Sequence, residues 1–207
     1  MNFYHPEPQK LNIDCICDSF QARLGSGFFN DVWELTNNKD YVVKVAKPYF
    51  GYDQPLSWLI RQANEHSTAA KYFRVPQSFF VRSTTSSGKA VNLVIQKKID
   101  GTPLSMLEDR ELKHIRDELL DLVKAIKMCL AETNSLPDVI GGPPRWCMHD
   151  IRCSNNLVVD EQHRIWLIDP AAMFLWFSRS NIFGRYYTGL LVRSAERLAR
   201  RAGISEL

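Results

Sequence analysis

The chain reads as an α+β protein in two parts: a β-rich region over residues 22–98 and a mainly helical one over 99–207, after a lead-in at 1–21. Three observations predict this. Short β-branched and aromatic runs of strand length, separated by Gly, Asn and Ser turns, fill the first region. A stripe of Leu112, Ile115, Leu119, Leu122, Ile126 and Leu130 runs at helical spacing through the second. Between them Lys97-Lys98-Ile99-Asp100-Gly101-Thr102-Pro103-Leu104 reads as an extended linker that breaks both patterns.

At 207 residues the chain fits one large domain or two small lobes. Its 45% hydrophobic and 24% charged residues are ordinary for a globular protein. No apolar run approaches the roughly 18 residues of a membrane span, so no stable membrane insertion is expected. Met1–Leu11 lacks the basic-then-apolar pattern of a secretory signal peptide. Five cysteines (Cys15, Cys17, Cys129, Cys147, Cys153) show no paired metal spacing, and reduced thiols in a cytosolic compartment are expected. A net charge of +3 does not argue for nucleic acid. That charge is uneven. After Asp169 six arginines (Arg179, Arg185, Arg193, Arg197, Arg200, Arg201) face only Glu196 and Glu206, which suits an acidic partner, a lipid surface or a solvated helix face.

Leu24-Gly25-Ser26-Gly27-Phe28-Phe29-Asn30-Asp31-Val32-Trp33 opens the β region. In a strand-turn-strand such glycines let backbone amides approach phosphate oxygens, because no Cβ intervenes. The run follows G-x-G-x-x-G-x-V with Asn30 in place of the third glycine, and Asn tolerates positive φ better than most residues. Asn37–Asp40 then turn the chain into Tyr41-Val42-Val43-Lys44-Val45-Ala46. A lysine inside a buried β-branched strand is costly without anionic company, which nucleotide phosphates and a helix carboxylate would supply; a strand lysine facing solvent is the plain alternative. Leu56–Phe73 reads as a helix with Leu59, Ala63, Ala70 and Phe73 on a partial apolar face and Glu65 its only acid. Strands are expected at Gln77–Arg82 and Val91–Gln96, one long helix from about Glu108 to Glu132, and a break at Leu136–Pro144. An apolar patch at Met173–Phe177 and a loop at Ser178–Gly184 precede a last helix near Thr188–Ala202, with Leu191, Ala195, Leu198 and Ala202 facing the core.

The densest polar set is Met148-His149-Asp150-Ile151-Arg152-Cys153-Ser154-Asn155, two short strand-like runs (Leu157–Val159 and Ile165–Ile168), and Asp169. One carboxylate to accept a proton from an attacking hydroxyl, and an amide oxygen with a second carboxylate to hold magnesium, are what phosphoryl transfer from a metal-bound nucleotide requires. Taken alone, an Asp-turn-Asn loop before a hairpin is a common cap or turn. Its weight comes from the order: glycine hairpin, strand lysine, helix glutamate, linker, long helix, Asp-x-x-x-x-Asn, strand pair, Asp.

Over roughly residues 22–175 the chain resembles the protein kinase and aminoglycoside phosphotransferase superfamily. The resemblance implies a bilobal kinase-like fold with a β-rich N-lobe and a reduced, mainly helical C-lobe. It implies ATP and Mg2+ as cofactors, with Gly25, Ser26, Gly27, Val32, Lys44 and Glu65 about the nucleotide, Asn155 and Asp169 on the metal, and Asp150 as catalytic aspartate. His-Arg-Asp reads Met148-His149-Asp150, so control by a phosphorylated activation loop is not expected. D-F-G reads Asp169-Pro170-Ala171, which suggests a fixed metal site. Arg152, two residues past Asp150, is expected to neutralise the transferring phosphoryl group. The short C-terminal region, the Gly-Ser-Gly-Phe-Phe loop and the Asp-Pro pair are similar to the HopBF family of bacterial type III secreted effectors. These are minimal kinases delivered into the host cytosol that phosphorylate heat-shock protein 90 on serine. That family implies a protein serine/threonine kinase acting on a host chaperone, with a virulence role; a monomer is expected separately, and the sequence does not identify the oligomeric state. An aminoglycoside-type phosphotransferase, a nucleotide-binding pseudokinase module and nucleotidyl transfer are the other readings.

Overall fold

The computed structural model describes residues 20–26, 30–35, 38–47, 55–84, 88–141, 150–170, 179–180 and 182–205. Two compact units form: Met1–Ala63 with Pro76–Lys98, and Asn64–Val75 with Ile99–Leu207. The protein is α+β, with antiparallel sheets and a few helices.

In the first unit β3 (Tyr41–Ala46) is the middle strand of a five-stranded sheet. It lies between β2 (Asn30–Leu35) and β5 (Ala90–Lys97), with β1 (Phe20–Ser26) and β4 (Ser78–Thr84) at the edges. Every neighbouring pair is antiparallel. Leu35, Val43, Leu93 and Ile95 form a small core on one face, with Phe79 and Val81 beside them. Side chains alternate across a strand, so Val42, Lys44 and Val94 take the other face, and these are buried as well. Burial on both faces explains why β3 and β5 read as nearly unbroken apolar runs. Asn92 donates to the Pro55 carbonyl at 3.2 Å, which ties the start of helix α1 (Leu56–Ala69) to β5.

The second unit has its core where the helical stripes meet. α3 (Arg116–Thr133) and α4 (Ile182–Arg201) pack together, and Leu119, Leu122, Ile126 and Leu130 join Leu191, Ala195 and Leu198 in one buried cluster. Lys127 and Glu196 pair across these helices at 2.8 Å. A three-stranded antiparallel sheet of β6 (Gly101–Pro103), β7 (Leu157–Asp160) and β8 (Ile165–Leu167) adds Leu157, Ile165 and Leu167 to the cluster. Arg74 and Glu118 pair at 2.6 Å, and Glu118 also accepts from the Ile165 backbone, which fastens β8 to α3.

Several expectations are corrected. The extended linker contains a strand, β6, whose Gly101 would place any Cβ 2.3 Å from the Val159 carbonyl oxygen. The long helix is two. Glu108 and Glu111 close a capping box around α2 (Asp109–Leu112), and Ile115 then takes non-helical angles before α3 begins. α1 ends at Ala69, leaving Ala70 exposed, while Ala69 and Phe73 join the second unit's core. The last helix begins at Ile182, ahead of Thr188, because its first turns expose Ile182, Phe183 and Tyr186 and bury only Gly184. The lead-in up to residue 19, the patch Met173–Phe177, and Ser178 and Asn181 of the loop Ser178–Gly184 lie outside the described residues. No helix among the described residues is long and apolar enough to cross a membrane.

Candidate active site

In the first unit the strand registers set five residues in one row. Gly25 opposes Val32, Val32 opposes Lys44, Lys44 opposes Val94, and Val94 opposes Phe80. Directly opposed residues share a face of the sheet, so the glycine, the valine and the lysine expected about a nucleotide are aligned. Lys44 is 6% exposed on the middle strand, with valines on both sides. An ammonium buried to that extent is tolerated only where it is paired or hydrogen-bonded, so the position suits a residue that works with anionic groups.

Beside the glycine turn Asp31 pairs with Arg23 at 2.5 Å and Lys47 at 3.3 Å, and Lys47 donates to Ser26 Oγ. Desolvation acts to raise the Asp31 pKa, but hydrogen bonds from Arg23, Ser26 and Lys47 outweigh it and hold the carboxyl below its ordinary value. The Ser26 hydroxyl is thus engaged in the base of the hairpin. Gly27 lies outside the described residues, as do Met148 and His149.

The second unit holds Asp150, Arg152, Asn155 and Asp169, and Glu65 belongs to it too. Glu65 is half-buried on α1, three residues beyond buried Gln62 and so on a neighbouring part of the same face. Asp150 caps a single 3₁₀ turn (Ile151–Cys153). Its Oδ1 accepts from the Arg152 backbone at 3.1 Å and from Ser194 Oγ at 2.7 Å. Asn155 is exposed; its backbone N–H donates to the Ile140 carbonyl at 2.7 Å, and its Oδ1 accepts from Ser105 Oγ at 2.8 Å.

Asp169 is joined to this loop by its neighbour Asn156. The Asn156 amide donates to the Asp169 carbonyl at 3.2 Å and to the Asp138 carbonyl at 2.8 Å, while its own carbonyl accepts from Ile168 N at 2.8 Å. Three of the four residues expected here therefore ride on one loop, and Asn156 binds the fourth to it.

Arg152 is held within the protein. Its guanidinium donates to the Leu107 carbonyl and meets Asp109 at 3.5 Å, a structural tie for the loop. Its Nη1 is buried without a hydrogen-bond partner among the described residues.

Sequence reasoning missed four residues that build the site. Asp138 accepts from Ile140 N and Gly141 N at 3.1 and 2.9 Å. Burial pushes its carboxyl up to about 6; those two bonds oppose the rise, and the charge of Asp169 adds to it. Asn156 and Gly141 form the clamp beside it, and Ser194 reaches in from α4. The Pro-Asp and Gly-Gly pairs in the break at 136–144 were the available signal for Asp138 and Gly141. Nothing local marked Asn156 or Ser194.

Among the described residues no group of three or more His, Cys, Asp or Glu side chains is gathered as a metal cage. A donor set of Asn155 and Asp169 fits a hard cation that takes its remaining ligands from phosphates and water, the habit of Mg2+. No protein-family model matches this chain, and no curated protein matches it in sequence.

Proposed function

We propose that the protein is an ATP-dependent protein serine/threonine kinase of the minimal bilobal type, and that the host chaperone heat-shock protein 90 is its substrate. The observation that carries the reading is Lys44: a buried lysine on the middle strand of the sheet, in register with Val32 and Gly25 of the glycine hairpin. Asp150, Asn155 and Asp169 on one laced segment support it from the second unit.

In this reading Lys44 anchors the nucleotide phosphates and Glu65 is the acid that orients it. Asn155 and Asp169 hold Mg2+, which when bound neutralises charge on the phosphates. Asn155 Oδ1, which accepts from Ser105 in this structure, is the atom that would hold the metal. Asp150 orients the acceptor hydroxyl and takes its proton. Positioning and charge neutralisation supply most of the rate, because the transition state is loose. Arg152 steadies the loop instead of meeting the phosphoryl group.

The arginines on α4 disfavour a cationic aminoglycoside. Among the described residues after Asp169, Glu196 is the single acid, and it is paired with Lys127. The test is transfer from labelled ATP to purified heat-shock protein 90 and to eukaryotic lysate proteins, with Asp169→Ala alongside. Transfer by the parent and none by a folded variant is expected. Equal labelling by both rejects the assignment. ATP binding without transfer in the parent leaves only a nucleotide-binding module.

A further inference from the structure

Ser194 sits on the buried face of α4 at 2% exposure, among Leu191, Ala195, Leu198 and Ala199. A serine buried in a helix ordinarily turns its hydroxyl back to the carbonyl three or four residues earlier. Thr188 on the same helix does this, donating to the Gly184 carbonyl at 2.8 Å. Ser194 does not. Its hydroxyl donates to Asp150 Oδ1 at 2.7 Å and accepts from the Ile151 backbone N–H at 2.9 Å.

The proton order in this relay is unambiguous. A backbone N–H only donates and an ionised carboxylate only accepts, so the single hydroxyl hydrogen must point at Asp150. The Arg152 N–H reaches the same oxygen at 3.1 Å. These two donors converge on one carboxylate oxygen and restrict how the carboxyl group can turn. One donor is the loop's own backbone; the other is anchored in the helical core.

We propose that Ser194 is a positioning residue for Asp150, holding its carboxylate in the orientation from which it takes the proton of the acceptor hydroxyl. The proposal rests on the kinase reading above. Ser194 touches neither nucleotide nor acceptor in that reading, so its loss acts on turnover and leaves ATP binding alone. A misplacement near 1 Å of a group in proton transfer costs about 100-fold in rate.

The experiment compares the parent, S194A, S194T and D150N for kcat, KM for ATP and nucleotide affinity by calorimetry, with thermal unfolding on the same samples. S194A is expected to lose about 10- to 100-fold in kcat with KM for ATP within about twofold of the parent, and S194T, which keeps the hydroxyl, to recover most of the loss. Should S194A fail to fold, S194C carries the same comparison, since its thiol fills the space but donates weakly. A folded S194A or S194C with kcat within twofold of the parent overturns the proposal. So does an equal loss in S194A and S194T, which would mark a packing role. A parent that transfers nothing removes the kinase reading itself; an active parent silenced by D150N but unmoved by S194A removes this inference alone.

Discussion

Gly141→Ala tests the clamp that holds Asp169 to the loop. Gly141 has φ +68°, in the left-handed region, and a Cβ there would lie 2.2 Å from Asn156 Oδ1 and 2.5 Å from its Cγ. Asn156 cannot simply swing aside, because it is buried and its Nδ2 serves both the Asp138 and the Asp169 carbonyls. A left-handed alanine costs about 1–2 kcal/mol. Displacing the amide forfeits two hydrogen bonds and leaves buried carbonyls unpaired, about 2–4 kcal/mol more. The total of about 3–6 kcal/mol corresponds to a fall in Tm of roughly 6–24 °C for a chain of this size. Calorimetric unfolding of G141A, N156A and the double variant separates the two contributions. With the amide already gone, G141A should add only the backbone cost of about 1–2 kcal/mol, a coupling of at least about 2 kcal/mol between the sites. A Tm loss below 3 °C, or the same loss in both backgrounds, would refute the clamp.

Two further outcomes follow from burial. The Asp138 carboxyl titrates at about 6 in the folded chain against 3.8 when unperturbed, so the folded state holds its proton more tightly. Its contribution is therefore full below about pH 4 and is lost as pH rises through 6, up to about 3 kcal/mol. Without metal, D138N should gain on the parent in Tm between pH 5 and pH 7.5, and a pH-independent difference would contradict the assignment. On the proposed reading of Lys44 as phosphate anchor, Lys44→Met should weaken ATP binding at least about tenfold by calorimetry. The variant should stay folded, and loss of the folded state would instead make Lys44 a structural residue.

What could be read from the sequence was what repeats locally. The stripe from Leu112 to Leu130 and the face of Leu191, Ala195, Leu198 and Ala202 are buried as their spacing requires. The same stripe hid the break between α2 and α3: Leu112 and Ile115 enter one core on either side of it, so the apolar period continues while the backbone does not. β6 was hidden because Gly101 and Pro103 read as breakers, whereas the close approach to Val159 needs a residue without a side chain. Lys44 stood out because a charge in a β-branched strand contradicts its surroundings. Ser194 and Asn156 contradict nothing near them. Their meaning arises 44 and 18 residues away, at Asp150 and Asp138, and only the folded chain brings those partners together.

Neutral groups contribute several of the ties that hold the loop carrying Asp150 and Asn155. Ser154 Oγ donates to the Val139 carbonyl and accepts from Leu157 N at 2.9 Å; Asn155 N takes the Ile140 carbonyl; Ser105 N takes the Ser154 carbonyl at 3.1 Å. Each bond satisfies a backbone group that burial would otherwise leave unpaired. If the loop serves a triphosphate and its metal as proposed, neutral ties have a use there, because they stay in place when the local charge changes. The two kinds of residue should then separate in experiment. Ser154, Asn156 and Gly141 support both the loop and the core around it, so their loss lowers stability and activity together. In the proposed kinase reading Lys44 and Asp169 serve the ligand, and their loss should reach activity while the fold remains.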